Sequence, residues 1–370
     1  MTFFSSQSVK LTALYEASLI MNRKHYFFLG LLICLSFIIK IFNLLPVTLG
    51  GDFERDWQLM EKLVDQGQLP QIGPSASVND SFYLGPGYYY FLEVIYLLSA
   101  GNFQVGMLIF SLLGSLSIIL FFSVTHRLFG KNVAVISTVL YSLSPYLNSI
   151  LSFPWNPYIL PLMTLLTLWF YIRVVEDKKF EYLPWLSCNL GLMTHSHATA
   201  IFLIPIFVWG VLFKLKSKIS SVNPLYILSA VLGLLLTLTP YFSQLSQIAP
   251  TITSTHREEC NFEDWLNTHG NGEECFHYLR NTLFVGRIFS SSIIGKKEFV
   301  LATISLLIIA SFLIWYRGKQ RYLLRAWLLI PWSLFMLYSK NVYLHYFLIF
   351  LPLPFWMMGI GLAKILAKKE

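Results

Sequence analysis

The sequence predicts an all-α, polytopic transmembrane bundle of about ten spans, with external juxtamembrane helices and a second external loop. Three observations predict it. The chain is 55% hydrophobic and only 12% charged over its 370 residues, where soluble domains carry about a quarter charged residues. Its mean hydropathy is +0.60. Apolar runs of roughly 15 to 22 residues alternate with short charged loops, the pattern of spanning helices and not of barrel strands. The net charge of +8 gathers at the ends of those runs, as membrane orientation requires, so it is no sign of nucleic acid.

Residues 1–25 read as a cytoplasmic tail ending in Arg23 and Lys24 before a first apolar run from about Tyr26 to Val47. The run is too long for a cleaved signal and no small-x-small site follows it, so it predicts a signal anchor. A polar region rich in Gly, Pro and Ser comes next, then an apolar stretch over 83–100 that either spans or lies in the interface. Charge decides between these. With 83–100 outside, the later spans fall near 104–125, 132–151, 157–174, 182–195, 198–213, 224–245, 298–316, 322–338 and 342–363. The cytoplasmic side then holds 18 of the 27 Lys and Arg and 5 of the 19 acids, net +13 against −5 outside. A spanning 83–100 would flip every later loop against the positive-inside rule. Glu93 and the crowd of tyrosines also suit an interfacial helix.

The chain thus divides into a transmembrane core over 26–246 that includes a first external loop at 48–103, a second external loop at 247–297, and C-terminal helices over 298–370. In the second loop an oxidising compartment predicts a disulfide between Cys260 and Cys275; zinc held with His256, His269 and His277 is the alternative, on a spacing that matches no closed zinc module. Cys34 and Cys188 fall within spans and read as packing residues.

Four features meet on the outer face. GGDFERDW, from Gly50 to Trp57, places three carboxylates and a guanidinium directly after the first span. On a helix Asp52 and Asp56 are i,i+4 neighbours, with Glu54 and Arg55 turned away. Paired carboxylates raise one another's pKa, which suits a general base, and Arg55 suits an anion; an acidic helix cap is the plainer alternative. GPGYYYFL, from Gly85 to Leu92 and preceded by Gly73-Pro74, offers rigid turns and the rings of Tyr88 and Tyr89, either for a sugar or lipid or as an interfacial belt. SFPWNPYILP, from Ser152 to Pro161, presents Trp155 and Asn156 between two prolines, or simply starts a helix. MTHSHATA sets His195 and His197 at a tight turn, for phosphate, for a metal, or to satisfy the turn itself.

In order and sidedness these features resemble the C superfamily of lipid-phosphate-sugar-dependent glycosyltransferases, and within it the protein O-mannosyltransferases and the lipid A aminoarabinose transferase. Leu344-His345-Tyr346-Phe347-Leu348 leading to Leu351-Pro352 resembles that family's RY-then-proline element, with His345 where an Arg is usual. Glu54 stands after Phe53, where many members place the second acid directly after the first. The resemblance implies a polyprenyl-phosphate groove and an outer-face active site in the plasma (inner) membrane. It implies a sugar donor on polyprenyl phosphate and a lipid, polysaccharide or protein acceptor. No cofactor is required, and a divalent metal on the carboxylates stays open. Asp52 is then the base, with Asp56 or Glu54 tuning it. Arg55, Lys62, His195 and His197 face the phosphate, and Asn156 faces acceptor or sugar. Arg257, Arg280 and Arg287 are further phosphate candidates. A lipid-linked sugar flippase or other transporter, or an O-antigen-type ligase or polymerase, is the competing reading. A transporter would be expected to carry mid-span charges and repeats, whereas this chain concentrates its charges at the rims, with only Lys40 and Glu93 near apolar runs.

Overall fold

The structure, a computed structural model, describes residues 23–44, 51–75, 82–216, 222–242, 277–296, 298–338 and 342–367. Apart from one β-bridge between Ser75 and Tyr83, regular structure among these residues is helical. Helix α1 covers Arg23–Leu44, α2 Gly51–Asp65, α3 Gly87–Leu98, α4 Phe103–Phe129, α5 Lys131–Leu143 and α6 Pro145–Ile150. A 3-10 turn at Asn156–Ile159 leads into α7, Leu160–Val175; α8 is Leu183–Ser196. A second such turn, Ala198–Phe202, opens α9, Leu203–Leu215, and α10 is Pro224–Phe242. Then come α11 His277–Ile294, α12 Phe299–Trp315, α13 Arg321–Met336, the 3-10 turn Leu344–Phe350 and α14 Pro352–Ala367.

A polytopic helical bundle is what the sequence predicts, and it is what forms. Among the described residues, four stretches, in α1, α4, α7 with its 3-10 turn, and α10, are long and apolar enough to cross a membrane by length and composition; two bent pairs, α11 with α12 and the Leu344–Phe350 turn with α14, bring the number to six. The other expected spans fall on α5 with α6, α8, α9 and α13, none with more than 16 residues. Sixteen residues rise about 24 Å, short of a hydrocarbon core of about 30 Å. The break between α5 and α6 lies at Ser144-Pro145, where proline cannot donate into a continuing helix and the Ser144 hydroxyl instead caps Leu147. Within the region expected as a second external loop, His277–Ile294 is a helix with a long buried face.

The first loop carries two short amphipathic helices. α3 has 12 residues, about 18 Å, and cannot cross a bilayer. Trp57 and Met60 of α2 pack with Tyr88, Tyr89, Leu92 and Ile95 of α3 and with Phe110 of α4, a small core apart from the main one. Trp57 fits because Gly106 of α4 has no side chain: a Cβ there would collide with the indole. Truncating such a buried Trp costs roughly 3–5 kcal/mol. The main core runs between α4, α5, α7, α8, α13 and α14 around fully buried Phe121, Trp327 and Trp356.

α1 is tied to α6 by a buried polar contact. Lys40 Nζ donates to Ser36 Oγ at 2.6 Å and to Asn148 Oδ1 at 2.7 Å, and Asn148 Nδ2 donates to the Ser142 carbonyl at 2.9 Å. The two ends of the bundle differ. At one, Arg127 in the last turn of α4 and Arg173 of α7 both pair with Asp177, and Lys319 pairs with Glu176. At the other, Phe103 at the start of α4 stacks on Phe53 of α2. The 27 residues of α4 hold these ends about 40 Å apart.

Candidate active site

The site is built from the first loop outward. In α2, the Arg55 guanidinium folds back between the two aspartates. It donates through Nε and Nη2 to Asp56 Oδ1, at 3.0 and 2.8 Å, and through Nη1 to Asp52 Oδ1 at 3.1 Å. The helix does bring Asp52 and Asp56 onto one face, but Arg55 joins them and is not turned away. Glu54 is the carboxylate left out, accepting from Gln58 at 3.2 Å. Asp52 is half exposed while the Asp56 side chain is fully buried. Of five guanidinium donors, three are used, which leaves two for an anion. Lys62 is exposed two turns along the same helix.

Tyr89 completes the Asp56 environment by donating to Oδ1 at 2.9 Å, while the buried Oδ2 has no partner among the described residues. Burial raises the Asp56 carboxyl above its ordinary range, and the bonds from Arg55 and Tyr89 offset this only in part. Burial and the Asp56 charge together raise the Tyr89 phenol. Tyr88 and Tyr89 are both buried. Position 88 and its i+4 and i+7 neighbours Leu92 and Ile95 form the buried stripe of α3, and Tyr89 lies beside it. The Tyr88 hydroxyl donates to the Pro154 carbonyl and so fastens the first loop to the Trp155 turn.

His195 is a clasp and not the free phosphate contact expected of it. Its Nδ1 accepts from the Gly87 amide at 3.0 Å, so Nε2 carries the proton, directed at the Thr237 carbonyl 2.5 Å away. A Cβ at Gly85 or Gly87 would come within 2.5 or 2.8 Å of the imidazole, so Gly85-Pro86-Gly87 is the sheath of that ring. Tyr241 adds a second tie, accepting from the Gly85 amide at 3.1 Å and donating to the Thr194 carbonyl at 2.7 Å. Sequence reasoning missed Tyr241, whose place at the end of an apolar run carries no local signal. Asn156 is likewise engaged: Nδ2 donates to the Ser196 carbonyl at 2.7 Å, closing the end of α8.

Trp155, His197 and His345 come together from three separate turns. The indole lies 4.7 Å from the His345 ring, which is 5.4 Å from His197; His197 lies 4.8 Å from Tyr346. His197 caps the next turn, accepting from the Thr199 amide at 3.3 Å. Burial, with His345 nearby, pushes its imidazolium down to about 3, so it is a neutral group. Trp155 Nε1 is buried and unpartnered among the described residues. Phe153, two residues before Trp155, meets Phe53 of α2 at 5.8 Å, so the aspartate helix and the aromatic turn adjoin.

Arg280 is buried on α11, which packs on the Leu344–Phe350 turn, and Arg287 is buried two turns further along the same face. Arg257, Cys260 and Cys275 lie outside the described residues. Arg55 already bonds one oxygen of each aspartate. Among the described residues no three His, Cys, Asp or Glu side chains gather as a metal cage.

With this geometry in place, comparison with known proteins shows what the chain is similar to. The structure shares its polytopic helical fold with ArnT from Cupriavidus metallidurans. The crystal structure of ArnT bound to undecaprenyl phosphate matches with a TM-score of 0.56 at 15% identity, over 90% of this chain and 60% of that one. Its apo structure matches with a TM-score of 0.56 at 15% identity, over 92% and 60%. This chain therefore spans about 60% of the length of those proteins. The family described as dolichyl-phosphate-mannose-protein mannosyltransferase matches residues 84–242. That stretch holds the GPG turn, Trp155 and both histidines, and stops short of α2. No curated protein matches the sequence. Fold and family match both bear out the C-superfamily resemblance, and the chain is a multi-pass membrane protein.

Proposed function

We propose that the chain is an integral-membrane glycosyltransferase that moves a sugar, hexosyl or pentosyl, from a polyprenyl-phosphate donor to an acceptor on lipid, polysaccharide or protein. The observation that carries this is Arg55 held between a half-exposed Asp52 and a buried Asp56, beside the Trp155, His197 and His345 turns. The undecaprenyl phosphate bound by ArnT and the dolichyl-phosphate-mannose donor in the family's description support the donor class. The positive-inside rule places the basic end in the cytoplasm and the site on the periplasmic or extracellular face of the plasma (inner) membrane.

The chemistry is an inverting displacement. Asp52, the accessible carboxylate, takes the proton of the acceptor hydroxyl or amine as its oxygen or nitrogen attacks the anomeric carbon from the side opposite the phosphate. The bond from that carbon to the phosphate oxygen breaks, and its electron pair leaves on the phosphate. The two remaining donors of Arg55 and the Lys62 ammonium meet the charge that develops there. Asp56 is a positioning residue that pins the guanidinium, and Trp155 Nε1 and His345 are the free groups for the sugar. Membranes containing Asp52→Asn, given a labelled polyprenyl-phosphate sugar, test this. Loss of a positioned base lowers transfer by roughly 10²–10⁴-fold; transfer at the wild-type rate rejects Asp52 as base.

A further inference from the structure

At the basic end of the bundle, far from the aspartates, lies a groove of about 360 Å³ between the end of α4, the start of α5, Tyr316 and α14. Its volume falls in the range of roughly 300–1,000 Å³ usual for small-molecule sites. The walls are apolar, with Leu128, Phe129 and Ile360, and the rim carries Lys319 and Lys364. We propose that this groove binds one anionic glycerophospholipid, its acyl chain against the apolar wall and its phosphate between the two lysines.

Charge complementarity selects that occupant. Arg127 and Arg173 share Asp177, and Lys319 lies 2.8 Å from Glu176. Lys364 has no carboxylate within ion-pair distance among the described residues and only approaches the Tyr316 ring, at 5.9 Å. This end is therefore short of negative charge just where an apolar channel opens. A soluble anion would leave the channel unfilled, and a neutral lipid would leave Lys364 unmatched. An anionic phospholipid satisfies both, and long basic side chains at a bilayer surface suit it. Nothing in this site takes part in the proposed sugar transfer.

The test uses the full chain purified in a neutral detergent, followed by native mass spectrometry and thermal unfolding. Phosphatidylglycerol is expected to stay bound one to one and to raise Tm; phosphatidylcholine and glycerol 3-phosphate are expected to do neither. Lys364→Glu should weaken phosphatidylglycerol binding about tenfold, one close charge being worth about that factor, and Ala363→Trp should fill the groove and abolish it. Lys364→Gln reads the same charge if the reversal does not fold. An equal response to phosphatidylcholine overturns the charge half of the proposal. A full response to glycerol 3-phosphate overturns the lipid half, and wild-type binding by both the Lys364 and Ala363 variants overturns the site.

Discussion

At the scale of single residues, the Asp56 carboxylate is the least ordinary group in the described chain. It is fully buried, takes three bonds on one oxygen and none on the other. Such a group keeps its charge only while its donors stay, because burial favours the protonated form. Tyr89→Phe keeps the ring in the core of the first loop but removes one donor from the ionised carboxylate. A hydrogen bond to a charged group is worth roughly 1.5–3 kcal/mol, so its loss should raise the Asp56 carboxyl further. Its folded value is already raised, so on lowering the pH the mutant protonates Asp56 earlier and frees Arg55 sooner. The acid limb of kcat/KM for sugar transfer should move to higher pH. A profile that superposes on the wild type would show that Asp56 does not set the charge of the site. Asp56→Ala asks a different question. It strands Tyr89 and one side of Arg55, and should lower stability by on the order of 2–3 kcal/mol, discounted because Arg55 is 48% exposed; Asp56→Asn, which keeps an acceptor, should lose less. Chemical denaturation of the two variants compares them directly.

At the scale of elements, the site depends on how closely three turns approach, and glycine sets two of those distances. Gly87→Ala places a methyl against the His195 imidazole and breaks the clasp between α3, α8 and α10. Overpacking of this kind costs roughly 1–3 kcal/mol. Gly106→Ala should displace Trp57, and with it the helix that carries Asp52 and Asp56, so activity should fall further than Tm does. Gly30→Ala in α1, where nothing lies within 4 Å, is the control; helix propensity alone favours it by up to about 1 kcal/mol. Thermal unfolding of the three variants should rank them in that order of harm, with Gly30→Ala unharmed. The same contacts show what was legible beforehand. The carboxylate pair is read from i,i+4 spacing on one helix, and the WNP, HSH and LHYF turns from prolines and imidazoles where an apolar chain has no need of them. What His195 does was not legible: whether an imidazole faces a ligand or a glycine amide depends on a contact 108 residues away in sequence, and periodicity carries no such information. Lys40 was legible only as an oddity in an apolar run. Its partner Asn148 lies in a helix that the sequence merges into one span with α5, because a serine–proline break reads much like a turn within the membrane.

At the scale of the whole molecule, everything proposed depends on two ends of one bundle facing two compartments. The basic loops do gather: Arg127, Arg173 and Lys319 reach the same pair of acids, Glu176 and Asp177. The aspartate helix and the aromatic turns gather at the other end of α4. That much rests on contacts within the chain, and orientation follows only when the positive-inside rule is added. Single cysteines test it. Ala100 lies just before α4 and Lys131 just after it, at opposite ends of a 27-residue helix long enough to span with room to spare. In a chain whose own four cysteines are replaced, Ala100→Cys in intact cells should react with a membrane-impermeant maleimide, and Lys131→Cys should react only after the membrane is opened. Ala100 sits at φ 50° on an exposed turn, where a single side-chain change leaves the packing of Trp57 untouched. Labelling of Lys131→Cys from outside would invert the bundle. It would carry Asp52 and Asp56 to the cytoplasm and the lysine-rimmed groove to the outer leaflet, and the outer-face placement of sugar transfer would fall, whereas phospholipid binding by the groove, read in detergent, does not depend on orientation.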